Sequence, residues 1–207
     1  MVAIGGDGGT FDIGFGALSG MLERGDDVLY NCVDNGAYMN TGGQRSAATP
    51  TWAATTTAPA GRQSMGKAEM KKDLPEIVAA HGIPYVATAS IAYLGDLKKK
   101  IKKAMTYHGP RYIQIDTPCP SVWSFASHLT LEIGRLGVNS GLVPLFEKEN
   151  GEITATRKIK RKIPVADYLN KQKRYRHLFD SEQGQLEIEK IQALADTNIK
   201  KYGLLSV

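Results

Sequence analysis

The chain has 207 residues, 42% hydrophobic and 23% charged, which excludes a wholly disordered polypeptide and leaves room for one globular domain, alone or with an appendage. No apolar run reaches the roughly 18–20 residues of a membrane helix, and Met1-Val2-Ala3-Ile4-Gly5-Gly6 lacks the basic start of a cleaved signal, so a cytoplasmic protein is expected. The net charge of +5 is local: residues 157–176 hold nine Lys/Arg and one acid, whereas the other 187 hold 17 basic and 20 acidic side chains.

The β-branched run 2–4 predicts a strand that ends in the glycine turn 5–9, followed by a helix over 12–23 with Ile13, Ala17 and Met21 on one stripe. A second strand over 27–33 stops at Asp34-Asn35-Gly36. Residues 37–72 have little periodicity, and a compact domain seldom carries so long a connection unless it is functional or covers a site. A helix is expected over 74–80 and a strand over 84–88. An amphipathic helix follows over 93–106, with Leu94, Leu97, Ile101 and Ala104/Met105 inward and Lys98, Lys99, Lys100, Lys102 and Lys103 on a solvated face. The strand 111–116 closes at Thr117-Pro118-Cys119-Pro120. This alternation implies βαβ units and a mostly parallel sheet, an α/β fold.

After Trp123 the alternation weakens. A hairpin is expected around Asn150-Gly151, then the basic stretch, then a helix over about 182–202 with Leu186, Ile191, Leu194 and Ile199 inward. The expected division is a domain over 1–123 and a C-terminal extension over 124–207 whose helix serves subunit contact. The basic segment interleaves only Tyr168 and Tyr175 and accompanies no nucleic-acid motif; it is read as an extended arm across an acidic partner subunit, with no nucleic acid or membrane among the partners.

In parallel sheets, ligands bind at the carboxyl ends of strands, where glycine turns let backbone N–H groups face an anion. Residues 5–9 and 34–36 lie at two such ends. Gly14, Gly16 and Gly20 persist in the following helix at about 0.5–1 kcal/mol each relative to Ala, which suggests that something packs close to it. Asp7 would repel a bare diphosphate in this turn, and a divalent cation resolves the conflict. Mg2+ wants oxygen ligands, and Asp7, the Asn35 side chain and a backbone carbonyl just beyond Asn35 could supply the protein's share if the first two strands are neighbours. Of the two cysteines, Cys32 inside an apolar strand reads as core and Cys119 as a thiol or a ligand.

Gly6-Asp7-Gly8 followed by Asp34-Asn35 looks like the motif of thiamin-diphosphate enzymes. The wording Gly6-Asp7-Gly8-Gly9-Thr10-Phe11-Asp12, Asp34-Asn35-Gly36-Ala37-Tyr38-Met39-Asn40-Thr41-Gly42-Gly43-Gln44, Ser46-Ala47-Ala48-Thr49-Pro50 and Pro118-Cys119-Pro120 resembles the β subunits of pyruvate:ferredoxin oxidoreductases, over most of residues 1–180. The resemblance implies a thiamin-diphosphate-binding fold, a mostly parallel sheet with helices on both faces, whose diphosphate half is residues 1–123. It implies Mg2+ held by Asp7, Asn35 and the Ala37 carbonyl, and Gly8 and Gly9 against the diphosphate, with Gly6 and Tyr38 also in the cofactor-binding set. Asn40 and Thr41 would face the thiazolium and the 2-oxo acid. The implied reaction is oxidative decarboxylation of pyruvate to acetyl-CoA and CO2 with electrons passed through iron–sulfur clusters to ferredoxin. The implied partners are coenzyme A, an α subunit carrying the pyrimidine-binding domain, and γ and ferredoxin-like δ subunits. Enzymes for 2-oxoisovalerate or indolepyruvate share the motif, and a non-catalytic assembly module is the third reading. Cys119 stands where the resemblance places the family's fourth cluster cysteine, and the given sequence starts after the segment that carries the other three; a [4Fe–4S] site needs four thiolates, so the expectation is either that another polypeptide supplies the rest or that the sequence is a truncated or split product. The same gap would remove part of the sheet.

Overall fold

A computed structural model describes residues 1–205. Six strands form one sheet in the order β1-β2-β4-β3-β5-β6, made of β1 Val2–Gly6, β2 Leu29–Asp34, β3 Tyr85–Ser90, β4 Arg111–Asp116, β5 Phe146–Glu149 and β6 Glu152–Thr156. The first four are parallel, as expected of strands joined through helices, and the hairpin β5–β6 adds two antiparallel strands beside β3. Residues after 124 therefore contribute to the same sheet. The hairpin turn places Asn150 at φ 51° and Gly151 at φ 88°, left-handed positions that the Asn-Gly pair tolerates.

Helices cover both faces. On one, α1 Phe15–Glu23 and α2 Leu74–Ala79 bury Leu18, Leu22, Leu74 and Val78 against Cys32, Val86 and Tyr112. On the other, α3 Leu94–Ala104 packs Leu97, Ile101 and Ala104 against Leu29, Tyr85, Ala87 and Ile113. The split follows from the period of two along a strand, which sends Tyr85 and Ala87 to one face and Val86 to the other. On edge strand β1, Val2 and Ile4 remain 54% and 74% exposed.

Several expected faces are corrected. A π-helical turn over Gly9–Ile13 precedes α1 and shifts the helical phase, so Phe11, Leu18 and Leu22 are buried while Ile13 is 86% exposed and Ala17 is exposed. Of the three helix glycines only Gly14 is crowded: a Cβ there would lie 2.4 Å from the Gly9 carbonyl oxygen, whereas Gly16 meets nothing within 4 Å. On α3, Leu94 and Met105 are exposed, and Lys100 is buried, donating to Asp96 and to the Thr88 carbonyl. The lysine-bearing face is thus partly consumed by internal pairing.

Beyond Trp123 the chain contains the short helix α4 Pro120–Trp123, then α5 Thr130–Ser140, α6 Val165–Asn170 and α7 Glu182–Lys201. Along α7, Ile188, Ile191, Ala195 and Ile199 are buried, whereas Leu186, expected inward, is 51% exposed. Residues 157–176 are not an extended arm. Val165, Tyr168, Leu169 and Tyr175 are buried in the core shared with α7, and the cations fold back: Arg157 stacks on Tyr93, Lys162 pairs with Asp196 and Lys171 with Glu132. Among the described residues, no helix is long and apolar enough to cross a membrane.

Candidate functional site

β1 and β2 are adjacent with Gly6 opposite Val33, so the residues that follow each strand, Asp7 and Asn35, meet at the carboxyl edge. The Asn35 backbone N–H faces Asp7 Oδ1 at 3.4 Å, and the Asn35 side-chain amide lies 2.9 Å from both Asp7 Oδ1 and the Ala37 carbonyl oxygen. With its nitrogen turned inward, the amide donates to both acceptors. With its oxygen inward, the amide oxygen stands 2.9 Å from each of the Asp7 and Ala37 oxygens, so the three could serve together as oxygen ligands of a cation. The donor set is all oxygen and carries one carboxylate, which suits Mg2+.

Asp7 is 1% exposed. Burial, with Asp34 nearby, pushes its carboxyl up to about 6, against the hydrogen bond from Ser46. Ser46 Oγ donates to Asp7 Oδ2 at 2.6 Å and thereby leaves Oδ1 toward Asn35 and Ala37. A dication in the oxygen triangle would favour the ionised carboxylate and offset its desolvation.

The glycines have steric reasons. A Cβ on Gly8 would lie 2.4 Å from the Tyr38 ring, whose hydroxyl donates to the Gly8 carbonyl at 2.9 Å. Gly36 sits at φ +73°. Nothing lies within 4 Å of a Cβ built on Gly6 or Gly9, so that side of the turn is open. Asn40 and Thr41 are exposed on the loop closed by the Tyr38–Gln44 bridge, where Thr41 and Gln44 bond each other.

The long connection 37–72 has no regular element beyond isolated bridges, and it is pinned. Buried Lys67 donates to the carbonyls of Thr49 at 2.6 Å and Met70 at 3.1 Å, and Thr49 Oγ1 donates to the Gly36 carbonyl at 2.7 Å. From the C-terminal part, the Trp123 indole donates to the Asn35 carbonyl at 2.8 Å, and the Arg174 guanidinium stacks 3.7 Å over Trp123. Ser46, Lys67 and Trp123 escaped the sequence reading as site residues. Ser46 lies within the quoted family wording, but its partner is 39 residues away and only folding brings the two together.

One strand further in, Asp34 pairs with Lys71 and accepts from Gln114 Nε2 at 2.8 Å and the Gly36 N–H at 3.1 Å. Asp34, Asp116 and Asp7 hold the Lys71 ammonium above its ordinary value although burial opposes the charge. Asp116 accepts from Ser90 at 3.0 Å; burial first and Asp34 second push it up to about 7.

Cys32 is buried, and burial pushes its thiol up to about 12, which leaves it an inert core group. Cys119 is half-buried with its Sγ 3.2 Å from Ser121 Oγ. Among the described residues, no three His, Cys, Asp or Glu side chains gather as a metal site.

Residues 1–115 match the family described as "Thiamine pyrophosphate enzyme, C-terminal TPP binding domain". The chain is 56% identical over 204 residues to pyruvate synthase subunit PorB of Methanosarcina barkeri, covering 99% of this chain and 69% of that protein. It is 54% identical to the PorB of Methanocaldococcus jannaschii, covering 99% of this chain and 67% of that one. The chain thus spans about two thirds of the length of these relatives. The fold is similar, at a TM-score of 0.54 and 30% identity, to a chain of 2-oxoglutarate:ferredoxin oxidoreductase from Magnetococcus marinus solved with 2-oxoglutarate, coenzyme A and succinyl-CoA, over 59% of this chain and 41% of that one. A glycine turn with a buried aspartate, set beside an asparagine on the neighbouring strand and matched to these relatives over almost the whole sequence, makes the chain a member of the thiamin-diphosphate-dependent 2-oxo-acid:ferredoxin oxidoreductase β-subunit family.

Proposed function

We propose that the chain binds the diphosphate of thiamin diphosphate, through Mg2+, in a pyruvate:ferredoxin oxidoreductase that converts pyruvate, coenzyme A and oxidised ferredoxin to acetyl-CoA, CO2 and reduced ferredoxin. The observation that carries this reading is the end of the Asn35 side-chain amide lying 2.9 Å from both Asp7 Oδ1 and the Ala37 carbonyl oxygen. Asp7 Oδ1, Asn35 Oδ1 and the Ala37 carbonyl hold the ion; Ser46 fixes the carboxylate and Trp123 the Asn35 backbone. The open face of Gly6 and Gly9 admits the diphosphate to backbone distance, while Tyr38 backs the turn at Gly8. When bound, the coenzyme supplies the electron sink for decarboxylation. Asn40 and Thr41, exposed beside this edge, contact the 2-oxo acid.

An α subunit completes the pyrimidine side of the site, and γ and ferredoxin-like δ subunits carry electrons to ferredoxin. Cys119 ligates a [4Fe–4S] cluster together with three further thiolates. The complex is cytoplasmic, a reducing compartment in which two unpaired thiols persist.

In the assembled complex, pyruvate should reduce a low-potential acceptor faster than 2-oxoisovalerate or indolepyruvate. Replacing Asp7 with Ala should abolish both turnover and thiamin diphosphate binding, and retention of either overturns the assignment. Calorimetric titration of the lone chain with Mg2+ and thiamin diphosphate should give weak heat or none, because half of the pocket belongs to the α subunit.

A further inference from the structure

Asp7 is oriented by Ser46, and Ala37 is joined to Asn35 through Gly36, so the proposed Mg2+ ligands are held through two separate stretches of chain. One side chain touches both. Thr49 is fully buried; its Oγ1 accepts the Ser46 N–H at 2.9 Å and donates to the Gly36 carbonyl at 2.7 Å. A hydroxyl carries one proton and two lone pairs, and here it serves as acceptor and donor at once, both times to main chain.

The Thr49 backbone is itself tied at both ends. Its N–H donates to the Ser46 carbonyl at 3.1 Å, and its carbonyl accepts from the buried Lys67 ammonium at 2.6 Å. Within the turn over 46–49 the Ala48 N–H donates to Ser46 Oγ at 3.2 Å, which leaves the Ser46 proton for Asp7 Oδ2. On the other side, the Gly36 carbonyl belongs to the peptide that leads into Ala37, and the preceding carbonyl, that of Asn35, is held by the Trp123 indole. Gly36, at φ +73°, permits this turn but does not fix it, because glycine is conformationally free; its orientation needs a bond from outside.

We propose that the Thr49 hydroxyl is a positioning residue that couples the two halves of the Mg2+ site, setting the Asp7 carboxylate through Ser46 and the Ala37 carbonyl through Gly36. The inference rests on the Mg2+ reading of Asp7, Asn35 and Ala37. A matched bridge exists elsewhere in the fold: Thr88 Oγ1 donates to the Pro144 carbonyl at 2.7 Å and accepts the Phe146 N–H at 2.9 Å, tying β3 to the start of β5. What distinguishes Thr49 is where its two bonds end.

The test is calorimetric titration of the assembled complex with MgCl2, at a fixed excess of thiamin diphosphate and without 2-oxo acid. Thr49→Val keeps the volume and loses the hydroxyl, Thr49→Cys keeps a weak donor and acceptor, and Thr49→Ser keeps the hydroxyl and loses a methyl. Mg2+ affinity should fall about tenfold or more in Thr49→Val, by an intermediate factor in Thr49→Cys, and stay near the wild-type value in Thr49→Ser. Thr88→Val should lower the thermal unfolding temperature of the complex yet leave Mg2+ affinity unchanged. A role in packing alone would reverse the series, with valine nearest the wild type and serine furthest. That reversed order, undiminished affinity in Thr49→Val, or an equal loss in Thr88→Val overturns the proposal. If the valine variant does not assemble, the comparison of cysteine with serine decides in the same way. Asp7→Ala separates the two levels: affinity lost there but kept in Thr49→Val removes the coupling alone, and affinity kept in Asp7→Ala removes the Mg2+ reading with it.

Discussion

At the tips of β1 and β2, Asp7 is bonded by a serine hydroxyl and faces the Asn35 amide and a carbonyl, with no lysine or arginine hydrogen-bonded to it among the described residues. At the tip of β2 itself, Asp34 is bonded to an ammonium, an amide and a backbone N–H. Both carboxylates are almost fully buried, at 1% and 4% exposure, and they lie on the same edge of one sheet. The difference is where the compensating charge comes from. Asp34 finds it within the chain and so serves the fold; Asp7 is left short of positive charge and gains from a cation taken from solution.

That contrast can be broken by substitutions on each side. The largest effect is expected for Asn35→Ala, which removes one oxygen of the triangle: Mg2+-dependent thiamin diphosphate affinity of the assembled complex should fall by more than about 100-fold, beyond the loss usual for an outer support of a metal ligand. Ser46→Ala should cost about 10- to 100-fold in the same titration, by freeing Asp7 to rotate. An unchanged Mg2+ affinity would show that the hydroxyl does not orient the carboxylate.

On the Asp34 side the readout changes from binding to stability. Lys71→Met should lower the unfolding free energy by about 1–2 kcal/mol in urea titration, because a buried carboxylate loses its partner while the lysine itself is half-exposed. Adding Asp34→Asn to that variant should recover most of the loss, and failure to do so would mean that the ion pair is not the source. The smallest effect is expected for Tyr38→Phe, which deletes one hydrogen bond to the Gly8 carbonyl, about 0.5–1.5 kcal/mol, and leaves the ring that backs the turn.

The sequence foretold strands better than helix faces. Strand 111–116 and the Asn150-Gly151 hairpin were readable because β-branched and aromatic runs bounded by turn residues carry their own signal. The stripe Ile13, Ala17, Met21 misled because the π-turn at Gly9–Ile13 adds to the phase, and periodicity assumes an unbroken helix. The basic segment 157–176 misled for another reason: its Val165, Tyr168, Leu169 and Tyr175 are too widely spaced to declare a core, and their partners lie on α5 and α7.

By itself the sequence determined that strands and helices alternate, that glycine and acid share a turn, and that Asp7 and Asn35 follow the first two strands; that those strands are neighbours came from the sheet pairing. Those features depend on short-range order and on wording shared with the family. Only the tertiary structure decided that Ser46 holds Asp7, that Trp123 reaches Asn35 across 88 residues, and that Lys71 rather than an ion compensates Asp34. Such pairings join residues far apart in the chain, and burial decides their strength; neither quantity exists until the chain has closed on itself.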